Sequence, residues 1–354
     1  MSKLFSPLKI RGKELKNRIV VSPMCQYSSV NGMPNDWHLV HLGSRAVGGA
    51  GLILTEATAI SPDGRISPDD AGIWNDEQMN AYKRINLFIK SQNCLSGIQL
   101  AHAGRKASTF SPWKGVGKVE QENGGWKTIA PSAISFESNY PQPKEMDETD
   151  IKSIIDQFVA AAKRSINAGF EILELHFAHG YLVHEFLSPI SNHRNDNYGG
   201  SLENRCRLAI EITKAVRKSV SDEISLFVRI SATDWVDGGW DVDQSVQLAK
   251  WLKDAGADLI DCSSGGNVSH VKIPAAPGYQ IPFAQRIKTE AGILTGGVGL
   301  ITTAEQAEEI IKSNQADVVL LGREMLRDPY WPMHAAKKLN VDLTYWPKQY
   351  LRAK

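Results

Sequence analysis

The sequence predicts an α/β fold, a single (β/α)8 TIM barrel with an extended loop insertion after strand 3. Three observations predict it. Short apolar runs rich in Val, Ile and Leu recur eight times, at 18–24, 51–57, 95–102, 171–176, 226–231, 259–263, 293–298 and 318–322. Their near-continuous apolarity suits strands buried on both faces. Amphipathic helical patterns separate most of them, at 151–167, 202–220, 242–254 and 304–312. A weak internal repeat joins helix end to strand start three times, beginning at Ala168-Gly169, Ala255-Gly256 and Gln315-Ala316, with a small residue closing the helix. Two helix starts read as capping boxes, Asn75 with Gln78 and Thr302 with Glu305.

A chain of 354 residues is long for one domain, but barrels reach this size as one unit, so 1–354 is expected to be a single domain. Forty basic against 39 acidic residues, with no long basic run, argue against a nucleic-acid partner. The opening lacks the apolar stretch of a signal peptide and no run of about 18 apolar residues occurs, so a cytoplasmic protein without a membrane partner is expected. Cys25, Cys94, Cys206 and Cys262 lie far apart with no CxxC pair, so neither a zinc site nor an iron–sulfur cluster has its spacing.

Residues 103–147 break the rhythm with Gly, Ser, Trp and Pro. A loop on the C-terminal side of a barrel strand shapes the active site, so this insertion is expected to form a lid or rim. Trp113 and Trp126 are either wall residues of the site or anchors of the loop itself.

Polar residues gather at the predicted strand ends. Strand 1 ends in Ser22-Pro-Met-Cys25-Gln-Tyr27, strand 3 contains Gln99, strand 4 runs into His176-Phe-Ala-His179-Gly-Tyr181, and strand 5 contains Arg229. Alternation places Arg229 with Phe227 and Ser231, facing into the barrel. A buried guanidinium needs an anion, either a barrel carboxylate such as Glu174 or an anionic reduced flavin. Gln99 suits the edge of a pyrimidine-like ring or a backbone partner. Thr295-Gly-Gly-Val-Gly299 after strand 7 and Leu321-Gly-Arg323 after strand 8 occupy the usual phosphate position of barrels. His176 and His179 lack a third metal ligand, and no metal is expected; a bend through Ala178 would aim both imidazoles at one substrate oxygen. No Gly-x-Gly-x-x-Gly opens a helix, so a nicotinamide would visit rather than reside.

In combination, the segments 17–27, 97–106, 176–204 and 321–324 resemble the old yellow enzyme family, specifically its short bacterial, thermophilic-like class, over essentially the whole chain. The resemblance implies FMN held by Ser22, Pro23, Met24, Cys25, Ala57, Gln99, Arg229, Gly297, Gly322 and Arg323. It implies NADPH or NADH as transient hydride donor, and α,β-unsaturated carbonyl or related compounds, xenobiotics included, as substrates. His176 and His179 would bind the carbonyl oxygen, Tyr27 would help position it and Tyr181 would supply a proton. It further implies a homodimer or homotetramer in which the tail 340–354 lies at a subunit interface and Arg352 reaches a neighbouring site. The aromatic content of that tail, Tyr345, Trp346 and Tyr350, agrees with docking on a neighbour. The rival readings are a non-redox, phosphate-binding lyase or isomerase barrel, and a non-catalytic ligand carrier.

Overall fold

The computed structural model describes residues 2–354. Eight parallel strands close a barrel: β1 (Ile19–Val21), β2 (Leu52–Ala59), β3 (Leu95–Ala101), β4 (Ile172–Phe177), β5 (Ser225–Ser231), β6 (Leu259–Ser263), β7 (Leu294–Gly297) and β8 (Val318–Leu321), with β8 pairing β1. All eight predicted runs are strands. Helices follow as the outer layer: α1 (Asp36–Val47), α2 (Asp76–Ser91), α3 (Glu148–Asn167), α4 (Leu202–Ser219), α5 (Val242–Asp254), α6 (Ile281–Ala291), α7 (Ala304–Lys312) and α8 (Trp331–Lys338).

Side-chain alternation divides the apolar residues into two cores. Ile19, Val21, Ile53, Ile98, Leu173 and Leu175 point outward against the helices, while Val20, Leu52, Leu54, Ile172, Phe227, Leu259 and Leu320 fill the bore. An N-terminal hairpin, Leu8–Ile10 with Lys13–Leu15, inserts Ile10 and Leu15 into the bore cluster and plugs that end. The opposite, C-terminal end of the strands is left for polar chemistry.

Asn75 and Gln78 form the expected capping box on α2. The cap of α7 differs from expectation by one residue: Thr303, not Thr302, accepts from the Gln306 N–H, while the Gln306 side chain takes the Thr302 N–H. Thr303 has the extended backbone that lets a side chain fold back on the first turn. At the repeated helix ends Gly169 (φ 95°) and Gly256 (φ 102°) adopt left-handed backbone, and Asn314 (φ 60°) does so in the third copy.

The insertion 103–147 folds over the mouth. It carries a two-stranded parallel pair, Ile129–Ala130 with Lys144–Glu145, and single-turn helices at Gly104–Lys106 and Gln121–Asn123. Trp126 is an anchor, its Nε1 donating to the Asp63 carbonyl at 2.8 Å beneath the Arg65 guanidinium. Trp113 is 65% exposed and sets its edge against Tyr27, so it stands at the rim.

Part of the C-terminal tail docks on its own chain. Asn17 donates to the Tyr345 hydroxyl at 3.0 Å, Lys16 lies over the Tyr345 ring, and Trp346 packs with Met333 and Leu343. The aromatic argument for an interface is therefore narrowed: Tyr345 and Trp346 are half-buried within one subunit, while Tyr350 stays exposed.

Candidate active site

Polarity rises along the bore in steps of two residues. The inward series on β4 is Ile172, Glu174, His176; on β5 it is Phe227, Arg229, Ser231; on β6 it is Leu259, Asp261, Ser263. The first of each is apolar core, the second forms an ionic layer, and the third reaches the mouth.

In the ionic layer Gln99 donates to Glu174 Oε1 at 2.8 Å, a side-chain partner rather than the backbone one considered from sequence. Arg229 donates to Ser22 Oγ at 3.2 Å and places Nε 3.2 Å from Asp261 Oδ2. The carboxylate closest to Arg229 is thus Asp261, not Glu174, because the register sets Asp261 opposite Arg229 while Glu174 faces Phe227. A run of Leu259, Ile260 and Cys262 around it had marked Asp261 only as part of a buried strand.

Above this layer His176, His179 and Tyr181 converge. The His176 ring lies 5.1 Å from each of the other two, near perpendicular to both. The bend that brings them together is not at Ala178: His179 itself (φ 62°) and Gly180 (φ 70°) take left-handed backbone. Two anchors support that turn, Ser231 Oγ accepting from the His179 N–H at 2.9 Å and Ser263 Oγ lying 2.7 Å from His179 Nε2. Burial, reinforced by Arg229, holds both imidazoles well below the usual His range, so each is neutral with one N–H to donate. Burial also pushes the Tyr181 hydroxyl well up, keeping its proton in place at neutral pH.

Lys106, from the insertion, was given no role by sequence. Its Nζ donates to the carbonyls of His179 and Gly266, both at 2.9 Å, and lies over the Tyr181 ring. Desolvation lowers it to about 8. Its position within the 97–106 segment was the available signal.

On the β1 side, Pro23, Met24, Cys25 and Tyr27 form a half-buried turn with Tyr27 at φ 48°. Glu56 holds it from behind, accepting from the Gln26 N–H at 2.9 Å and lying 3.0 Å from His38 Nε2. Desolvation, then Asp70 and Glu56, push the Cys25 thiol up, so it is protonated. Ala57 is buried where β2 shifts register between Leu54 and Ala57.

A cavity of about 250 Å³ opens between the ends of β6, β7 and β8, lined by Ser263, Gln280, Gly299, Gly322 and Arg323 among others. Gly297 ends β7 but turns away from it, since a Cβ there would lie 2.6 Å from Ile281 Cδ1. Gly322 does the reverse: a Cβ would meet only Met24 Sδ at 3.7 Å and Ser22 Cβ at 4.0 Å. Space therefore lies between the glycine loops and the Ser22–Met24 turn. A planar ring carrying a phosphate arm fits this arrangement. Ser263 and Gln280, missed by the sequence reading, sit at a strand end and just before a helix, where barrel function concentrates. Arg352 is exposed near the end of a short helical turn, Lys348–Ala353, and is not part of the convergent cluster in its own subunit.

Residues 3–342 match the profile of the NADH:flavin oxidoreductase / NADH oxidase family. The chain is 49% identical over 353 residues to the NADPH dehydrogenase of Bacillus velezensis, covering 99% of both, and 47% identical over 352 residues to that of Bacillus subtilis, covering 99% of this chain and 98% of the other. Among solved structures, morphinone reductase superposes with a TM-score of 0.80 at 26% identity, over 97% of this chain and 91% of that one. A 2-naphthoyl-CoA reductase superposes with a TM-score of 0.87 at 25% identity, over 95% of this chain and 52% of that longer one.

Proposed function

This chain belongs to the NADH:flavin oxidoreductase / NADH oxidase family, as the resemblance to old yellow enzymes implied, and from that premise we propose that it reduces the activated C=C bond of α,β-unsaturated carbonyl compounds. It is an FMN-dependent oxidoreductase that takes hydride from NAD(P)H. Family membership removes the ground for a non-redox lyase or isomerase. When bound, FMN supplies reversible hydride acceptance and donation.

The observation that carries the substrate assignment is the convergence of two neutral imidazoles and one protonated phenol above the layer that holds Arg229. Ser22, Pro23, Met24, Cys25 and Ala57 would hold one side of the cofactor, Gln99 and Arg229 its pyrimidine end, and Gly322 and Arg323, with backbone near Gly297, its phosphate. His176 and His179 would each donate to the substrate carbonyl oxygen and draw electron density from the conjugated bond. Tyr181 would give its proton to the α-carbon, and Tyr27 with Trp113 would bound the alkene. Cys25, a neutral thiol, would tune the cofactor rather than attack substrate.

The whole chain would act as one unit in the cytoplasm, where its four free thiols fit a reducing compartment. Among the described residues no helix is long and apolar enough to cross a membrane. Arg352 would complete a neighbour's pocket in a homodimer or homotetramer; its exposure supports this, and deleting residues 351–354 should change enone affinity.

The test is the absorption spectrum of the purified protein. We expect a yellow protein, bleached by NADPH without oxygen and restored by cyclohexenone. A protein that bleaches but is restored by no enone would exclude this substrate class.

A further inference from the structure

The ionic layer beneath the convergent residues sets two carboxyl groups against one guanidinium. Glu174 and Asp261 are fully buried, and Arg229 is the cation between their strands. The Arg229–Asp261 contact of 3.2 Å lacks hydrogen-bond alignment, so neither Asp261 oxygen receives a donor. Glu174 spends Oε1 on Gln99 and leaves Oε2 without one. Three carboxylate oxygens thus stand undonated in a dry bore beside one guanidinium. Two carboxylates in that position do not both ionise at acceptable cost. Burial raises both carboxyls, the Asp261 charge adds to the effect on Glu174, and Arg229 opposes it, so the two titrate as one unit.

The groups facing this pair are few. Arg229 comes from β5 and His176 from β4, while Cys262, next to Asp261 on β6, points outward into the helix-facing core. Gln99 on β3 is a neutral donor, Ser22 after β1 is a neutral hydroxyl that accepts from Arg229, and Gly296 of β7, opposite Asp261, brings no side chain. His176 is kept neutral by burial and Arg229, and burial pushes the Cys262 thiol well up, so neither adds charge near neutrality.

We propose that Glu174 and Asp261 share one proton in the oxidised enzyme and take up a second when negative charge settles against Arg229 on flavin reduction. The charge count follows directly. One guanidinium, one carboxylate and one carboxylic acid sum to zero. A hydride brings two electrons and one proton to the ring, leaving it with one negative charge, and the remaining carboxylate binds one H⁺ from solvent. The layer and ring together stay neutral in both states, and the proton returns to solvent on reoxidation. This pair is a charge-compensating site for the cofactor, and it acts without touching the alkene. It rests on FMN lying against Arg229, not on the enone assignment.

The experiment is redox-difference infrared spectroscopy on the FMN-loaded enzyme, reduced by dithionite with no nicotinamide or alkene present. On reduction the wild type should gain a protonated-carboxyl C=O band that shifts in D₂O and on ¹³C labelling of glutamate or aspartate. The E174Q/D261N double variant should lose that band and take up one proton fewer per flavin, read with a pH indicator in unbuffered solution. The labelling arm needs no substitution, so a missing band overturns the proposal even where the double variant fails to fold, and single E174Q and D261N variants assign a band that does appear: one unmoved in both also overturns it. A wild type that gains no carboxyl band, or a band unmoved by either label, overturns the proposal. Absence of flavin bands altogether would instead indict FMN binding.

Discussion

At the scale of single residues, the proton inventory of the mouth makes separable demands on its members. Tyr181 keeps its proton through burial, and only the alkene step consumes it. Tyr181→Phe should slow enone reduction about 10²-fold or more while leaving flavin reduction by NADPH nearly unchanged, measured by stopped-flow on the two half-reactions. Equal slowing of both would remove Tyr181 from the proton-donor role. His176→Ala and His179→Ala should abolish the long-wavelength colour given by phenols, because a phenolate stacked on the cofactor would lose the N–H groups that hold its oxygen. Sequence made these three residues legible because they follow a strand in a tight cluster. Asp261 and Lys106 were not legible, since each takes its meaning from a partner about 32 or more positions away: Arg229 for Asp261, and the His179 and Gly266 carbonyls for Lys106.

At the scale of elements, the insertion is tied to two active-site loops through one side chain. Lys106 bridges the loop after β4 and the loop after β6, which already meet closely: a Cβ on Gly266 would fall 2.7 Å from the His179 Cα. Lys106→Met keeps much of the stem and removes the donors. It should lower enone turnover about tenfold, a loss of roughly 1.4 kcal/mol, with FMN affinity unchanged. Titration of FMN fluorescence and enone kinetics on the same preparation check this, and unchanged turnover would make the bridge structural only. Strand and helix positions were readable because buried parallel strands and amphipathic helices have distinct periods. The turn at His179 was misplaced at Ala178 because residue size suggests where a chain can bend, whereas the left-handed turn here is held by Ser231 and Lys106 from other elements. The contacts that part of the tail makes within its own subunit were hidden for a similar reason, Tyr345 finding Asn17 and Lys16 far away in sequence, and Trp346 finding Met333.

At the scale of the whole molecule, so much polarity buried at the mouth gives stability an unusual pH dependence. Burial raises Glu185 to about 8, with one oxygen accepting from the Arg105 N–H and the other unpartnered. The native state therefore holds a proton that an unfolded Glu, titrating near 4.3, has already released. The raised histidine desolvation cost works oppositely, His41 falling to about 3 and His102 to about 4, but only below the unfolded His value near 6.5. Between about pH 6.5 and 8 the carboxyls govern, native protein binds more protons than unfolded, and stability must fall as pH rises. The denaturation midpoint of FMN-free protein should decline across that window, and Glu185→Gln should flatten the decline; an equal slope in both would contradict the assignment. The central claim, that this mouth passes hydride from nicotinamide to an activated alkene, is tested most directly by an anaerobic single turnover with NADPH deuterated at the transferred position, followed by cyclohexenone. The account predicts that the yellow colour bleaches and returns, with one saturated ketone per flavin and deuterium at its β-carbon. A flavin that bleaches and stays reduced in excess enone, or a ketone carrying no label, would contradict it.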